Sequence, residues 1–208
     1  MDSRKKIKLQ KEVLLWYKKH KRKFLWRDNK NPYVIFVSEI MLQQTQVERV
    51  QSKLPEFLNE FPTVQALSQS SQSFVLRKWK GMGYNNRAVR LLKSAKIIVD
   101  KLGGNIPSSK EILQTLPGVG EYTSSAISVF AFKANISVVD VNIRRVYSRL
   151  FWDMRTFSST QTEKKIFEIS NSIFPTNKSS EWHQAIMDIG SRFCQARRTK
   201  CNECPLIF

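Results

Sequence analysis

Acid is scarce in this chain of 208 residues: 17 Asp and Glu stand against 35 Lys and Arg, a formal charge of +18. That excess goes beyond what solubility needs and points to a polyanionic partner. Missing too is any apolar run of the length a membrane-spanning helix requires, and the basic N-terminal stretch leads into no signal-peptide core or cleavage site. A membrane is therefore excluded as the reason for the charge, and a cytoplasmic protein is expected. Cysteine is absent before Cys194; Cys194, Cys201 and Cys204 all fall within the last fifteen residues. Such clustering argues against a disulfide-stapled secreted fold and points to metal. Low-complexity tracts and internal repeats are absent as well, Ser68 to Ser73 being no more than a polar loop or helix entry.

What is present suffices for one large domain or two small lobes, since 41% of residues are hydrophobic and 11% aromatic. Apolar residues recur at three- and four-residue steps through Val13, Leu14 and Tyr17, through Ile40, Met41, Val47 and Val50, through Leu91 to Val99, and through Ile166, Ile169 and Ile173. This spacing, with short breaks such as Phe61-Pro62-Thr63 and Gly103 to Pro107, predicts an all-α fold of roughly ten short helices. The strongest strand candidate, Ile136 to Val139, leads straight into the helical pattern of Asn142 to Val146 and reads as a connector. Thr63 and Ser108 or Ser109 each follow a proline and precede an apolar helical pattern, as N-caps do. Basic residues are densest between Arg4 and Lys30, where twelve Lys or Arg face only Glu12 and Asp28, a distribution suited to phosphate attraction.

Three constellations bear on chemistry. In Leu116-Pro117-Gly118-Val119-Gly120-Glu121-Tyr122-Thr123, two glycines around one apolar residue make a tight hairpin whose amides can grip a phosphate. Thr123 is expected to open the helix that follows and to aim its amide end at the hairpin. In Ser38-Glu39-Ile40-Met41-Leu42, one acid sits inside an otherwise buried pattern, where lost hydration would raise its pKa toward general-acid use. An ordinary Glu near a helix start reads equally well. Gln43, Gln44 and Gln46 follow it and could contact base edges or fill space in a duplex. Lastly, Cys194-x6-Cys201-x2-Cys204-Pro205 carries thiolate spacing suited to zinc or an iron–sulfur cluster. No fourth cysteine accompanies them, and His183, in a helical setting, reads as a packing residue rather than a fourth ligand.

From Trp26 to Leu206 these residues together resemble the helix-hairpin-helix (HhH-GPD) DNA glycosylase superfamily, which includes endonuclease III, adenine DNA glycosylases and thymine mismatch glycosylases. The adenine enzymes are the most similar, through Leu25-Trp26-Arg27, Pro32-Tyr33, Ser38 to Val47, Phe61-Pro62-Thr63, Gly81-Met82-Gly83-Tyr84 and Gln184 to Gly190. The resemblance implies a two-lobed all-α fold. One lobe is a six-helix barrel over residues 28–137 with the hairpin motif at about 112–130. The other joins residues 1–27 to 138–208 and ends in a Cys-rich loop.

Roles follow residue by residue from the same resemblance. Glu39 stands where the family's general acid protonates the base. Asp140 stands where a carboxylate steadies the oxocarbenium-like sugar, and Asn142 helps position it. Tyr122 takes the place of the Schiff-base lysine of bifunctional relatives, and a phenol cannot form an imine. Gln44 and Tyr84 fall at wedge positions, while Leu116, Gly118, Val119, Gly120 and Thr123 carry the phosphate-binding hairpin. Arg22, Trp26, Arg27 and Gln184 match positions around the extruded base. Cys194, Cys201 and Cys204 match three of four ligands of a [4Fe-4S] cluster, the fourth falling past Phe208.

The expected activity is thus a monofunctional, monomeric glycosylase on double-stranded DNA, removing adenine opposite guanine or 8-oxoguanine in the cytoplasm or on a nucleoid. Two features touch substrate choice: Tyr84 is followed by Asn85 where the family usually pairs two tyrosines, and Val141 replaces a small residue between Asp140 and Asn142. The C-terminal domain with which many adenine enzymes recognise 8-oxoguanine is not in this sequence, so weaker opposite-base discrimination is expected. A thymine or uracil glycosylase acting on G·T or G·U pairs is the alternative within this chemistry. A non-catalytic DNA-binding module is the alternative outside it.

Overall fold

The computed structural model describes residues 2–152 and 160–206. Eleven α-helices run through them, with a 3-10 turn at Cys201–Glu203: α1 (Ser3–His20), α2 (Pro32–Leu42), α3 (Val47–Glu60), α4 (Val64–Ser68), α5 (Gln72–Lys78), α6 (Asn86–Lys101), α7 (Lys110–Gln114), α8 (Glu121–Phe132), α9 (Val141–Trp152), α10 (Thr160–Ile173) and α11 (Ser179–Arg192). Among the described residues the only β pairing is a single bridge between Cys194 and Thr199, so the chain is all-α as its periodicity predicts. Residues 136–140 form an irregular connector.

The helices gather into two compact units. One is Phe24–Phe132; the other joins Met1–Lys23 to Lys133–Phe208.

In the Phe24–Phe132 unit, α2 is the axis of the core. Its sequence PYVIFVSEIML is apolar on all sides, and every residue from Tyr33 to Met41 is buried. Such a helix is stable only when wrapped by others, and α3, α6 and α8 pack on it. Asn31 caps it, accepting from the Tyr33 amide at 3.0 Å, with Pro32 occupying the first turn where no amide is needed. Thr63 and Ser109 cap α4 and α7 as expected, accepting from Ala66 N at 3.1 Å and Ile112 N at 3.3 Å. Helix α7, the turn after it and α8 make the helix-hairpin-helix.

In the second unit α1 packs on α11, and α9 on both α10 and α11. Leu9, Val13 and Tyr17 of α1 meet Ile143, Val146 and Tyr147 of α9 and Trp182, Ile186 and Ile189 of α11 in one core. The Trp182 indole donates to the Tyr147 hydroxyl at 2.9 Å, which leaves that polar pair satisfied inside. His183 is fully buried against the Phe174 ring, with Nδ1 bonded to the Ser179 carbonyl at 2.7 Å. Packing is its role, in agreement with the reading from its helical setting.

Candidate active site and nucleic-acid surface

In the Phe24–Phe132 unit, Glu39 lies in the last turn of α2, not near a helix start, and is 3% exposed. An acid at that place is withdrawn from water by the helices that wrap α2. One of these is α8, which carries Tyr122, itself half-buried. Trp26 is buried and stacks on Phe24 with ring centroids 4.9 Å apart, while the Arg27 guanidinium lies 4.9 Å from the Phe24 centroid.

Beyond α2 the chain turns sharply, and Gln44 is exposed with φ 53°. A second sharp turn ends at Tyr84, which is 66% exposed with φ 46°. Left-handed backbone at a non-glycine residue costs about 1 kcal/mol or more and persists only where surroundings enforce it. Here the enforcing group is Arg87, a residue that sequence reasoning passed over. Its buried guanidinium donates to the carbonyls of Met41 at 2.7 Å, Met82 at 2.9 Å and Gly83 at 3.1 Å, to Thr45 Oγ1 at 2.9 Å, and to the Gln43 carbonyl. One side chain therefore fastens the end of α2 and both exposed turns together. Burial lowers the pKa of Arg87 from its ordinary value.

The hairpin is braced from two sides. Gln43 Nε2 donates to the Gly118 carbonyl at 3.0 Å and to Thr123 Oγ1 at 3.2 Å, so this glutamine holds protein rather than reading bases. Ser94 of α6 donates to the Pro117 carbonyl at 3.0 Å. Gly118 has φ +85°, which a side chain would resist. Helix α8 opens at Glu121 and not at Thr123, because Gly120 already supplies the first accepting carbonyl, to Ser124 N at 2.9 Å. Thr123 is buried inside the first turn. Leu116 and Val119 are 2% and 5% exposed, so their side chains belong to the core; Gly118 and Gly120 offer backbone alone.

In the other unit, Asp140 caps α9. Its Oδ1 accepts from Ile143 N at 2.7 Å and its Oδ2 from Asn142 Nδ2 at 2.7 Å. Loss of water around the carboxyl pushes Asp140 above the ordinary aspartate value, although the residue as a whole keeps some exposure; the Ile143 and Asn142 bonds and the Arg145 charge pull it back. Arg145 donates to Asn142 Oδ1 at 2.7 Å, to the Gly190 carbonyl at 3.0 Å and to the Cys194 carbonyl. Gly190 must be glycine for this arrangement, since a Cβ there would come within 2.8 Å of Asn142 Cβ. Val141, beside the acid, is 71% exposed. Gln184 is buried and accepts from the Tyr17 hydroxyl. Arg22 is held by Asp188, with Nε to Oδ1 at 2.7 Å.

Arg145 and Tyr17, like Arg87, were not singled out from sequence. The only available signal for Arg145 was its place one turn after Asn142 on α9.

Cys194 and Cys204 are partly buried and Cys201 is exposed. Burial pushes the Cys204 thiol up, with a further contribution from its neighbours Cys194 and Cys201. Thiolate chemistry suits an iron–sulfur cluster. Among the described residues, no group of three or more His, Cys, Asp or Glu side chains is placed to hold a single metal ion. Arg149 instead donates to Cys194 Sγ at 3.3 Å. Among the described residues, too, no helix is long and apolar enough to cross a membrane.

Residues 37–175 match the HhH-GPD superfamily base excision DNA repair protein family. The chain is 38% identical over 195 residues to an adenine DNA glycosylase of Buchnera aphidicola subsp. Baizongia pistaciae, covering 93% of this chain and 55% of that protein. It is 35% identical over 203 residues to the adenine DNA glycosylase of Homo sapiens, covering 93% and 37%. The chain thus spans about half the length, or less, of these curated relatives. A solved thermostable thymine-DNA glycosylase superposes with a TM-score of 0.86 at 26% identity, covering 98% of this chain and 94% of that one. Endonuclease III in a non-covalent DNA complex superposes at 0.80 with 22% identity, covering 99% and 94%, a likeness of fold.

Proposed function

The chain belongs to the HhH-GPD superfamily of base excision DNA repair proteins, and on that premise we propose that it is a monofunctional glycosylase releasing adenine mispaired with guanine or 8-oxoguanine. The observation that carries this reading is Glu39, an acid buried on the core helix α2 at the position where the resembling adenine enzymes keep their general acid. Similarity to proteins named adenine DNA glycosylase over 93% of this chain supports it.

Duplex DNA is held by basic side chains and by the hairpin backbone, while Gln44 and Tyr84 enter the stack as the adenine leaves it. Glu39 gives its proton to a ring nitrogen, so the electron pair of the breaking C1′–N9 bond flows into a neutral leaving base. Asp140, ionised, steadies the sugar cation left behind, and Asn142 keeps that carboxylate in place. Water then adds at C1′ and loses a proton, leaving an abasic site. Tyr122 offers no amine, so strand scission by imine formation does not follow. The cysteine loop takes no part in these steps.

A panel of labelled duplexes carrying A·G, A·8-oxoguanine, G·T and G·U pairs, treated with alkali after incubation, tests the reading. Cleavage at adenine is expected, with Glu39→Gln and Asp140→Asn each abolishing it while binding persists. Retained turnover in both variants would overturn the mechanism. A second reading, thymine release from G·T, is favoured by the thymine-DNA glycosylase whose chain this one covers to 94%. Cleavage confined to G·T or G·U would replace the first reading with this one.

A further inference from the structure

The hairpin has a cationic neighbour that neither its motif nor its relatives' names point to. Arg90 lies on α6, and its stem runs along Gly118: a Cβ on that glycine would stand 3.2 Å from both Cβ and Cδ of Arg90. One turn further, Ser94 holds the Pro117 carbonyl at 3.0 Å. Two successive turns of one helix face are therefore fastened to the hairpin. This fixes where the Arg90 guanidinium emerges, and with its stem already ordered, less rotamer entropy remains to be lost when it takes a ligand.

What it emerges into lacks protein partners. Arg90 is exposed and forms no ion pair or hydrogen bond among the described residues, and Lys93, exposed one turn on, forms none either. The amides of Gly118 and Gly120 likewise donate to no protein acceptor among the described residues. The acid of this motif, Glu121, is occupied elsewhere: it accepts from Lys110 Nζ and from Gln114 Nε2 at 2.6 Å, which draws its charge toward α7. Lys110 is used up in that pair, whereas Arg90 is not.

We propose that Arg90, with Lys93 beside it, is the cationic half of a phosphodiester site whose other half is the Gly118 and Gly120 backbone. The amides supply direction for one phosphate oxygen. The guanidinium supplies charge and a planar fork of donors for the oxygens they leave. The inference rests on the reading that the chain binds duplex DNA.

Binding of the full chain to a fluorescent mismatch duplex, measured by anisotropy from about 50 to 200 mM salt, tests it. Arg90→Met keeps the apolar stem against Gly118 and removes the charge. It is expected to flatten the slope of log K against log salt by about 0.9, the share of one phosphate, and Arg90→Met with Lys93→Met by about 1.8. Arg90→Lys should retain the slope. Lys101→Met, at the far end of the same helix, should leave both the slope and single-turnover base release from saturated complexes unchanged. A slope unaltered by Arg90→Met, or altered as much by Lys101→Met, overturns the site. Failure of the wild-type chain to bind any duplex would instead overturn the reading beneath it.

Discussion

Asn142 donates its side-chain nitrogen to Asp140 Oδ2 at 2.7 Å, and Arg145 decides that it is the nitrogen that does so. Arginine can only donate, so its bond to Asn142 Oδ1 at 2.7 Å turns the oxygen of that amide away from Asp140. Asp140 gains a donor that favours its ionised form, set against the loss of water that raises its pKa. Asn142→Ala removes the donor. Asp140 should then hold its proton to higher pH, and the acid limb of single-turnover base release should move upward. Below the limb the rate should fall roughly ten-fold or more, the worth of one hydrogen bond to a charged group. A profile that drops evenly at all pH would show that Asn142 does something other than tune Asp140.

The same raised pKa has a consequence for stability. Between the ordinary aspartate value and the raised native one, the folded state binds more protons than the unfolded, so unfolding free energy falls as pH rises through that window. Above it the full cost of the buried charge is present. Asp140→Asn removes that charge and keeps a residue suited to capping α9. Its Tm at neutral pH should equal or exceed that of the wild type while base release is abolished, and its advantage should vanish below about pH 4, near the ordinary aspartate value. A variant clearly less stable at neutral pH would contradict the raised pKa.

His183 runs the other way. Buried beside Phe174, it is kept neutral, with its pKa pushed down from 6.5 to about 4 by loss of water. As pH falls through that window the unfolded chain takes up a proton that the folded chain refuses, so stability is lost on acidification. The span corresponds to about 3 kcal/mol between pH 7 and pH 4. His183→Gln keeps a neutral polar side chain near Ser179 and should lack this component. Urea titrations of both proteins at the two pH values give the difference directly; equal acid sensitivity would mean that His183 is charged when folded.

Much of this is legible in the sequence. An apolar run with one acid, bounded by Asn31-Pro32 and by glutamines, announces a core helix but reads equally as one with an ordinary Glu near its start; it is the packing around α2 that buries Glu39. Gly118 and Gly120 announce a turn closed to other residues, and Gly118 has φ +85°. The side chains of Leu116 and Val119 were harder to place, because the motif that marks the hairpin does not say which of its atoms face outward. Least legible were Arg87 and Arg145. In sequence each adds to a +18 excess and reads as surface charge. Their partners are carbonyls and amides from distant segments, and no local pattern encodes those.

Arg87 also yields the sharpest stability test. The residue is 6% exposed, and its guanidinium faces neutral acceptors, the carbonyls of Met41, Gln43, Met82 and Gly83 with Thr45 Oγ1. A charge in such a place is costly, and only the number of bonds it makes offsets the cost. Arg87→Met removes the charge but strands several buried carbonyls, each worth about 1–3 kcal/mol, so a net destabilisation of about 2–4 kcal/mol is expected in urea. Arg87→Lys keeps a cation on a flexible stem but loses the fork that spans both turns. With Gln44 and Tyr84 no longer held in their left-handed conformations, Arg87→Lys should slow base release from bound duplex more than it weakens binding. Extrusion of a 2-aminopurine placed at the target position, followed by stopped-flow fluorescence, should slow in step with release. Unchanged extrusion in a destabilised Arg87→Lys protein would confine Arg87 to holding the fold.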